Sequence, residues 1–553
     1  MNFFESLLTH SPALIVAVPL LGAFLTPLIS KINDKIRNAF VVFIVGLTGV
    51  LISMLSYDVL MNNKMHNYVF GGDSALIMPA SGESFAVRII FAVDGLNAFM
   101  IIIVAILAFV GVIYSWHFMK EHTGLDKYYT LVLLMIAGML GMMLTGDMFN
   151  FFVFLEITSI SSCALIAFYT NKGKSVLAGF KYIVISTIGA LFILFAIALL
   201  YGQYNALNMA VLANSIQFNT FTDKIALVLL ISGLGMKAGI VPMHMWLPDS
   251  YGQAPSSVTL ILIGTTQAGL YALFRMVFTV FGRHITSPIE LTIAGNNILA
   301  GTNLNSIVGI ILVVLAILTM IIGVMMALKE SDFKRMIAFA AVAEIGYMVL
   351  AIGAAFFTLS PSEITIEGVQ VTFYSFSQAG QMAIKGGLFH IINDALDIGL
   401  LFLVAGAIYY VTKETSLNKL GGLARNMKFT TIFFIIGLLA VSGMPPMNGF
   451  ASKLLIYESI YLINPILAIV AILCSILLLA TFVKVLHSVF LGPKIPKFDE
   501  VKEVPASMLI GMGLIAIVII FFGLFPNLIL ENIVQPAADA LMNYSAYIGG
   551  SLL

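Results

Sequence analysis

The sequence predicts an all-α polytopic membrane protein with about fourteen transmembrane helices. Hydrophobic residues make up 60% of the 553 residues and charged residues 10%, against roughly 45–50% and about 25% in soluble proteins. Apolar stretches of roughly 20 residues, the length that crosses a bilayer as a helix, recur along the whole chain. Because no long polar segment separates them, we treat 1–553 as a single membrane domain.

The N-terminal part, 1–120, is predicted to contain helices 1–3 and one structured loop. Residues 1–10 include Glu5 but no lysine or arginine, so the basic region of a signal peptide is missing and we expect a retained helix. The loop at 61–92 alternates glycine and proline with short apolar runs, which predicts a hairpin lid. The turn-forming residues are Gly71, Gly72, Pro79 and Gly82.

Charge and cysteine content exclude several functions. The 27 basic and 27 acidic residues cancel, so no excess positive charge is available to hold a nucleic acid. The two cysteines, Cys163 and Cys474, are too few for a disulfide framework, a cysteine zinc site or an iron–sulfur cluster. No nucleotide-binding loop or nucleophile elbow occurs, so we predict neither a bound cofactor, nor a metal site, nor a catalytic centre.

The basic residues fall mainly on alternate loops between the predicted helices. Lys120, Lys172, Lys334 and Lys413 are examples on one side. Because loops rich in lysine and arginine remain on the cytoplasmic side, this asymmetry predicts that both termini lie outside.

Lys237 lies at membrane depth in a segment that weakens a helix. A charge there costs about 2.5–3.5 kcal/mol unless it has a partner or water. Residues 233–249 contain Gly239, Pro242 and Pro248, which remove hydrogen bonds and leave carbonyls free. We predict a hydrated site in which Lys237 exchanges a proton with Glu156 of the fifth helix, with His244 as an accessory. The alternative is a permanently charged pair that only braces the bundle.

The second half of the chain repeats this arrangement. Residues 442–455 contain Gly443, Pro445, Pro446 and Gly449 before Lys453. Two broken helices five helices apart imply a duplicated unit, and an odd number of helices per unit inverts the second copy. The predicted repeats are 125–283 and 304–492, followed by a C-terminal helix and tail at 505–553.

The eleventh predicted helix carries a polar stripe. His390, Asp394 and Asp397 are spaced i, i+4 and i+7, which places them on one face and favours a water-filled path; the alternative for His390 is a hydrogen-bonded core residue. Glu344, about 15 Å into its own helix, is the expected partner between this stripe and Lys453.

Three further ionisable residues have open roles. Lys385 lies near the outer end of its helix, where its amine can extend to the interface. Lys484 and His487 are one turn apart near the inner end of the thirteenth helix. They are candidates for an ion entrance or exit, with interfacial anchoring as the alternative.

Five segments together resemble the antiporter-like subunits shared by respiratory complex I, Mrp-type Na⁺/H⁺ antiporters and membrane-bound hydrogenases. The resemblance extends over roughly residues 90–490 and implies fourteen helices, inverted repeats of helices 4–8 and 9–13, and proton translocation. The segments are FVFLEITSISS (152–162), GLGMKAGIVPMHMWLPDSYGQAPSSVT (233–259), DFKRMIAFAAVAEIGYM (332–348), LFHIINDALDIGLLFLVAGA (388–407) and GMPPMNGFASK (443–453).

The resemblance also assigns roles to single positions. The chain keeps the family's glutamate of helix 5, lysine of helix 7, histidine of helix 11 and lysine of helix 12, and a recurrent lysine at the start of helix 6: Glu156, Lys237, His390, Lys453 and Lys181.

The chain departs from the family pattern in three helices, at four positions. Gln267 replaces a lysine four residues before Tyr271, Asp394 and Ile398 replace a histidine and a lysine, and Glu344 replaces a histidine or glutamine. Either the proton path through the middle of the bundle uses Gln267, Asp394, Asp397 and Glu344, or this protein conducts protons less completely than its relatives.

The function implied is that of a proton-translocating subunit of a redox-driven, multisubunit pump in a prokaryotic cell membrane, similar to complex I or a membrane-bound hydrogenase. Expected partners are other membrane subunits, including a second antiporter-like subunit, peripheral redox subunits, lipid, and protons or Na⁺. One alternative is an Mrp-type Na⁺/H⁺ antiporter subunit that ion gradients drive. The other is a structural membrane subunit that conducts no ions.

Overall fold

The structure, a computed structural model, describes residues 3–70, 79–80, 83–84, 89–216, 220–282, 288–289, 292–293, 296–297, 302–366 and 369–552. Within these ranges, thirteen helices are long and apolar enough to cross a membrane. Span 12, the one predicted span that is not among these thirteen, is present as two shorter helices. The polytopic all-α fold is therefore confirmed.

The spans are numbered in chain order. Spans 1–6 are Phe3–Ser30, Asp34–Met61, Gly95–Phe118, Leu125–Leu144, Met148–Ile166 and Gly173–Tyr204. Span 7 consists of Phe221–Ala238 and Trp246–Gln253, and span 8 of Ser256–Arg275 with a π-helical continuation at Met276–Val280. Spans 9–11 are Leu304–Lys329, Phe333–Phe357 and Gln378–Thr412; span 12 consists of Lys428–Val441 and Asn448–Ile463; span 13 is Pro465–Val485, continued by Leu486–Phe490; and span 14 is Ala506–Leu524.

Short elements connect and follow the spans. The remaining helices are Met209–Ser215, Met243–Met245, Leu417–Lys419, Leu423–Arg425, Pro496–Phe498, Pro526–Ile529, Leu530–Val534, Gln535–Met542 and Tyr544–Leu552. The strands pair antiparallel: His66–Val69 with Ile90–Val93, Pro79–Ala80 with Glu83–Ser84, Pro288–Ile289 with Thr302–Asn303, Thr292–Ile293 with Asn296–Asn297, and Leu359–Ile366 with Val369–Phe376.

The β-hairpin predicted between spans 2 and 3 is present in the described residues, where His66 pairs with Val93 and Val69 with Ile90. Gly71, Gly72 and Gly82 lie outside the described residues. The sequence analysis did not predict the strand pairs that connect span 8 to span 9 and span 10 to span 11. These strands lie where the chain leaves one side of the bundle, which we call the hairpin face.

The opposite side, the basic face, is formed by loops 119–124, 167–172, 330–332 and 413–427. Contacts between the loops and the adjoining helix ends define it: Lys172 Nζ donates to Tyr409 Oη of span 11 at 2.7 Å, and the N–H of Phe333, the first residue of span 10, donates to the Thr415 carbonyl at 2.9 Å. The lysines of this face are those that the sequence analysis assigned to the inner side, because they occur on alternate loops.

Spans 7 and 12 are both broken, as the sequence predicts. The first half of span 7 ends at Gly239 (φ +78°), and the break in span 12 begins near Gly443 (φ +68°); glycine adopts this left-handed conformation without steric cost. The two lysines differ in position, since Lys237 lies in the last turn before its break and Lys453 in the second turn after it. Inverted repeats therefore remain a prediction.

The centre of the bundle is formed by spans 8, 10 and 11. The most apolar windows of spans 10 and 11 are entirely buried and that of span 8 is 94% buried, against 33% for span 1 and 39% for span 14. Polar residues on these three central spans are thus shielded from lipid by the surrounding helices.

Close contact between spans 9 and 10 depends on glycine. A Cβ at Gly323 would lie 2.6 Å from the backbone nitrogen of Ala343 and 2.9 Å from the Phe339 carbonyl oxygen. This contact holds span 10, and with it Glu344, against its neighbour.

We expect Gly323→Ala to lower the free energy of unfolding by about 1–3 kcal/mol, because the helices must separate to admit the methyl group. Gly49→Ala is the control, since a Cβ there meets nothing within 4 Å and alanine is the better helix former. Thermal unfolding of the detergent-solubilised protein measures both. Equal melting temperatures for the two variants would contradict this account of the packing.

Candidate functional site

The break in span 7 is held by side chains of neighbouring elements. Trp246 Nε1 donates to the carbonyl of Met236 at 2.9 Å, and the backbone N–H of Val241 donates to Thr319 Oγ1 of span 9 at 3.1 Å. Since backbone groups inside a membrane protein must be hydrogen-bonded, these bonds allow the helix to stop at membrane depth. Lys237 therefore ends a stable helix.

Lys237 donates hydrogen bonds to two serines of neighbouring helices. Its Nζ lies 2.6 Å from Ser159 Oγ of span 5 and also donates to Ser186 Oγ of span 6. The nearest carboxylate oxygen, Glu156 Oε1, is 4.0 Å away. The predicted pair is thus brought together at ion-pair distance, with the serines as the direct partners of the amine.

A small cavity adjoins Lys237. Its volume is about 20 Å³, and its lining includes Ser159, Ser186, Lys237 and Thr265 of span 8. One water needs about 10–15 Å³ on this measure and two or more polar partners. The cavity therefore has room for a single water between Lys237 and span 8.

Span 8 joins span 11 through a direct hydrogen bond. Gln267 Nε2 donates to Asp394 Oδ2 at 2.7 Å, and both side chains are buried. Asp394 Oδ1 and Gln267 Oε1 accept no hydrogen bond from the described residues. Those two oxygens remain available to water or, on the carboxylate, to a proton.

Glu344 of span 10 is the centre of a cluster of ionisable side chains. Its Oε1 accepts a hydrogen bond from Lys453 Nζ at 2.8 Å, and its Oε2 lies 2.8 Å from His390 Nε2. All three side chains are about 99% buried. The expectation that Glu344 connects span 11 to Lys453 agrees with this geometry.

Lys453 reaches back across the break in span 12. Its Nζ donates to the carbonyl of Val441, the last residue of the first half, at 2.7 Å and lies 4.6 Å from the centre of the Tyr347 ring. The break thus supplies the amine with a carbonyl, while Glu344 supplies the counter-charge.

The polar stripe of span 11 contacts several neighbouring helices. His390 Nδ1 lies 3.1 Å from Ser452 Oγ of span 12, whereas Asp394 meets span 8. Asp397 lies beside Gly449, where a Cβ would be 3.2 Å from Asp397 Oδ2. The stripe therefore links spans 8, 10 and 12.

The polar side chains of the central spans thus form three groups. The first is Glu156 and Lys237, whose small cavity reaches Thr265 of span 8, and the second is Gln267 with Asp394. The third is His390, Glu344 and Lys453, with Asp397 beside Gly449 of span 12. Such an arrangement of exchangeable protons in an apolar bundle can conduct hydrogen ions once water completes it.

Comparisons with known proteins agree with this architecture. The family described as NADH:quinone oxidoreductase/Mrp antiporter, transmembrane, matches residues 145–365 and 364–479. A second family, the N-terminus of complex I chain 5, matches residues 80–129.

The chain belongs to the NADH:quinone oxidoreductase/Mrp antiporter family.

Relatives in this family come from three kinds of complex. The chain is 28% identical to NADH-quinone oxidoreductase subunit N of Desulforudis audaxviator, covering 96% of this chain and 98% of that protein. It is 28% identical to a Na⁺/H⁺ antiporter subunit of Alkalihalophilus pseudofirmus, with 84% of each covered. It is also 28% identical to hydrogenase-4 component B of Escherichia coli, of which it spans 63%.

Two solved structures have the same fold. A chain of the membrane-bound sulfane sulfur reductase, an archaeal respiratory complex, superimposes with a TM-score of 0.80 at 28% identity, covering 98% of this chain and 99% of that one. A chain of the Mrp complex from Dietzia sp. gives a TM-score of 0.81 at 23% identity with full coverage of both. The second likeness concerns the fold alone.

The five remaining candidate residues lie apart from the polar groups of spans 8, 10 and 11. Lys181 Nζ binds Asp249 Oδ2 at 2.6 Å near the basic face, where Arg335 Nη1 binds the other oxygen at 2.9 Å. His244 is buried within the break of span 7. Lys385 is half-buried toward the hairpin face, and Lys484 and His487 are exposed on span 13.

Sequence reasoning missed the hydroxyl groups of the site. Ser159, Ser186, Ser452 and Ser475 are buried around the two lysines, and Ser475 Oγ lies 3.4 Å from Lys453 Nζ. Serine is common in membrane helices, so residue type alone does not single these positions out. The available signal was the run of serines one turn after Glu156.

A buried ion pair was also missed. The sequence analysis did not single out Arg275, yet its guanidinium binds Asp94 through both carboxylate oxygens, at 2.8 and 2.6 Å, and is 1% exposed. Asp94 lies at the start of span 3, so the pair joins distant segments near the hairpin face. Because span 8 is long and continues as a π-helix beyond Arg275, the sequence does not show that this ion pair forms.

The two lysines should differ in their effect on stability. Lys453→Met leaves Glu344 without its closest cation, and we expect a loss of about 3–5 kcal/mol. The double variant Lys453→Met/Glu344→Gln should recover part of this loss, because no unpaired charge remains. The matched cycle is Lys237→Met with and without Glu156→Gln. Its coupling should be smaller, because the amine lies 4.0 Å from the carboxylate and donates its hydrogen bonds to Ser159 and Ser186 instead. Unfolding measurements that give equal coupling in both cycles would contradict the structure.

Proposed function

We propose that this chain is a proton-translocating, antiporter-like subunit of a multisubunit, redox-driven membrane complex similar to complex I or a membrane-bound hydrogenase. The observation that supports it most is the hydrogen bond of Gln267 to Asp394, because it joins span 8, which borders the cavity beside Lys237, to the polar stripe of span 11. Family membership and the names of the relatives point the same way.

Protons enter the path near Glu156 and Lys237. The amine and the carboxylate are close enough to sense each other's charge but are not hydrogen-bonded, so the attraction between them can be made or lost by small movements. A proton leaving Lys237 passes along the midplane past Gln267 and Asp394 and exits near Lys453. Gln267 holds water and Asp394 but carries no charge itself.

Glu344 controls the exit. Its two oxygens face His390 and Lys453. Because the carboxylate carries a single negative charge, it stabilises one positively charged base beside it better than two. A proton arriving on His390 therefore weakens the hold of Glu344 on Lys453, which then releases its own proton. Asp397, close by, provides a further acceptor.

We also propose the orientation and setting. The basic face lies inside and both termini outside, in a prokaryotic cell membrane, with spans 4–8 and 9–13 as inverted repeats. Partners are other membrane subunits, a second antiporter-like subunit among them, and peripheral redox subunits that drive the pump.

A gradient-driven Mrp-type subunit is the second candidate, supported by the 28% identity to the Na⁺/H⁺ antiporter protein of Alkalihalophilus pseudofirmus. Co-purified proteins distinguish the two: iron–sulfur or nickel proteins identify a redox pump, and small Mrp partners identify the antiporter. A non-conducting structural role is the third candidate, supported by the uncharged Gln267.

Lys237→Ala should abolish proton translocation by the complex reconstituted in vesicles while assembly is preserved, because the path loses its first base. Lys127→Ala is the control, since that side chain is exposed and belongs to none of the candidate sites. A pH-sensitive dye inside the vesicles measures the flux. Normal pumping by an assembled Lys237→Ala complex would refute the path.

Gln267 separates the conducting from the structural hypothesis. Gln267→Leu keeps the approximate size but removes the bond to Asp394, and a lost bond to a charged group costs about 1.5–3 kcal/mol, which predicts a decrease in proton flux of roughly 10-fold or more. Gln267→Lys, the residue usual in relatives, should conduct. If neither substitution changes flux in vesicles, the path does not run through span 8.

A further inference from the structure

A second cavity, unrelated to the lysine path, opens at the basic face. Its volume is about 290 Å³, and it is framed by the ends of spans 3, 5, 7 and 11 and the starts of spans 6, 8 and 10. Four lysines line it: Lys172, Lys174, Lys334 and Lys413. We call it the basic-face cavity.

Two carboxylates also line this cavity, and both are already engaged. Asp332 Oδ1 accepts the backbone N–H of Arg335 at 3.1 Å, and Glu414 Oε1 accepts the backbone N–H groups of Thr415 and Ser416 at 3.2 Å each. The amines outnumber the carboxylates by two, so the cavity carries surplus positive charge. His122 of the adjoining loop is affected: burial lowers its pKa, and Lys172 and Lys413 lower it further.

Lys334 forms the buried end of the cavity. Its side chain is 6% exposed, and its amine donates to the carbonyl of Ala254. An ammonium has three N–H donors, so donors are left for a ligand. A buried cation with a neutral backbone partner is stabilised when an anion binds beside it.

Two helix N-termini add to the attraction. Span 8 starts at Ser256, which lines the cavity, and span 6 starts at Gly173, between Lys172 and Lys174; neither start has a side-chain cap. Uncapped N–H groups at a helix start bind anions, phosphate in particular. Four amines and two helix starts thus converge on one space.

We propose that the basic-face cavity binds a phosphate-bearing anion between Lys172, Lys174 and Lys334. The lining comes from helix ends and loops of the basic face, where compounds dissolved in water reach it, which favours a soluble phosphate compound. Phospholipid headgroups share the same chemistry and also bind basic pockets between membrane helices. Because Lys334 and Glu344 lie on the same helix, the bound anion acts on the span that controls the proposed exit.

The test is phosphate binding to the intact complex in detergent. Inorganic phosphate should raise the melting temperature above that in chloride of equal ionic strength. In Lys172→Gln/Lys174→Gln, which alters two exposed side chains outside the proton path, the affinity should fall about 10-fold or more, because charge-assisted bonds are lost. Lys127→Gln, an exposed lysine near the same face that does not line the cavity, should bind like the wild type.

The outcomes distinguish the source of the phosphate. Lysine-dependent binding of inorganic phosphate in nanodiscs of neutral phosphatidylcholine supports a soluble ligand. Lysine-dependent competition by phosphatidylglycerol in place of phosphatidylcholine supports a lipid headgroup at the same site. If phosphate stabilises no more than chloride does, or if the double variant and Lys127→Gln bind equally, the proposal is wrong; Lys334→Gln, where it assembles, should give the largest loss.

Discussion

The structure depends on one carboxylate. Glu344 lies within 2.8 Å of both Lys453 and His390 in a part of the bundle that is almost entirely buried. A charge in the bilayer core is tolerated only with a partner or water, so each of these three groups keeps the others in place. The broken helix of span 12 serves the same need, because its free Val441 carbonyl accepts a second bond from the lysine.

The two halves meet this constraint differently. Lys237 relies on serine hydroxyls and stands 4.0 Å from Glu156, whereas Lys453 is bound directly to its carboxylate. Moving the Lys237 amine away from Glu156 requires little free energy. Separating Lys453 from Glu344 requires more, because a buried pair that loses one member leaves an uncompensated charge. This difference gives the proposed path a direction: a loosely held site that takes up protons and a tightly held site that releases them only when His390 competes.

Much of this could be predicted from the sequence because membrane physics restricts it. The length of the apolar stretches predicts the spans. Glycine and proline residues next to a buried lysine predict both helix breaks. The bond between Gln267 and Asp394 could not be predicted, because it depends on how spans 8 and 11 rotate against each other, which packing decides. The same holds for Ser186 and for the pair of Arg275 with Asp94, whose members are far apart in the chain. The strand pair of Leu359–Ile366 with Val369–Phe376 was not predicted, although the alternating pattern of its second strand is typical of strands.

In the proposed path, Gln267 is the link between the two halves. Its amide donates to Asp394, and it cannot accept a proton at neutral pH, so no charge rests on span 8 between the two clusters. Two unit charges about 10 Å apart at an effective dielectric constant of about 20 still interact by about 1.7 kcal/mol, enough to change a proton occupancy by more than 10-fold. At such a separation, electrostatic coupling across an uncharged link is sufficient for a proton on one side to bias the other. In the proposed path, a water that fills the cavity beside Lys237 carries the proton itself.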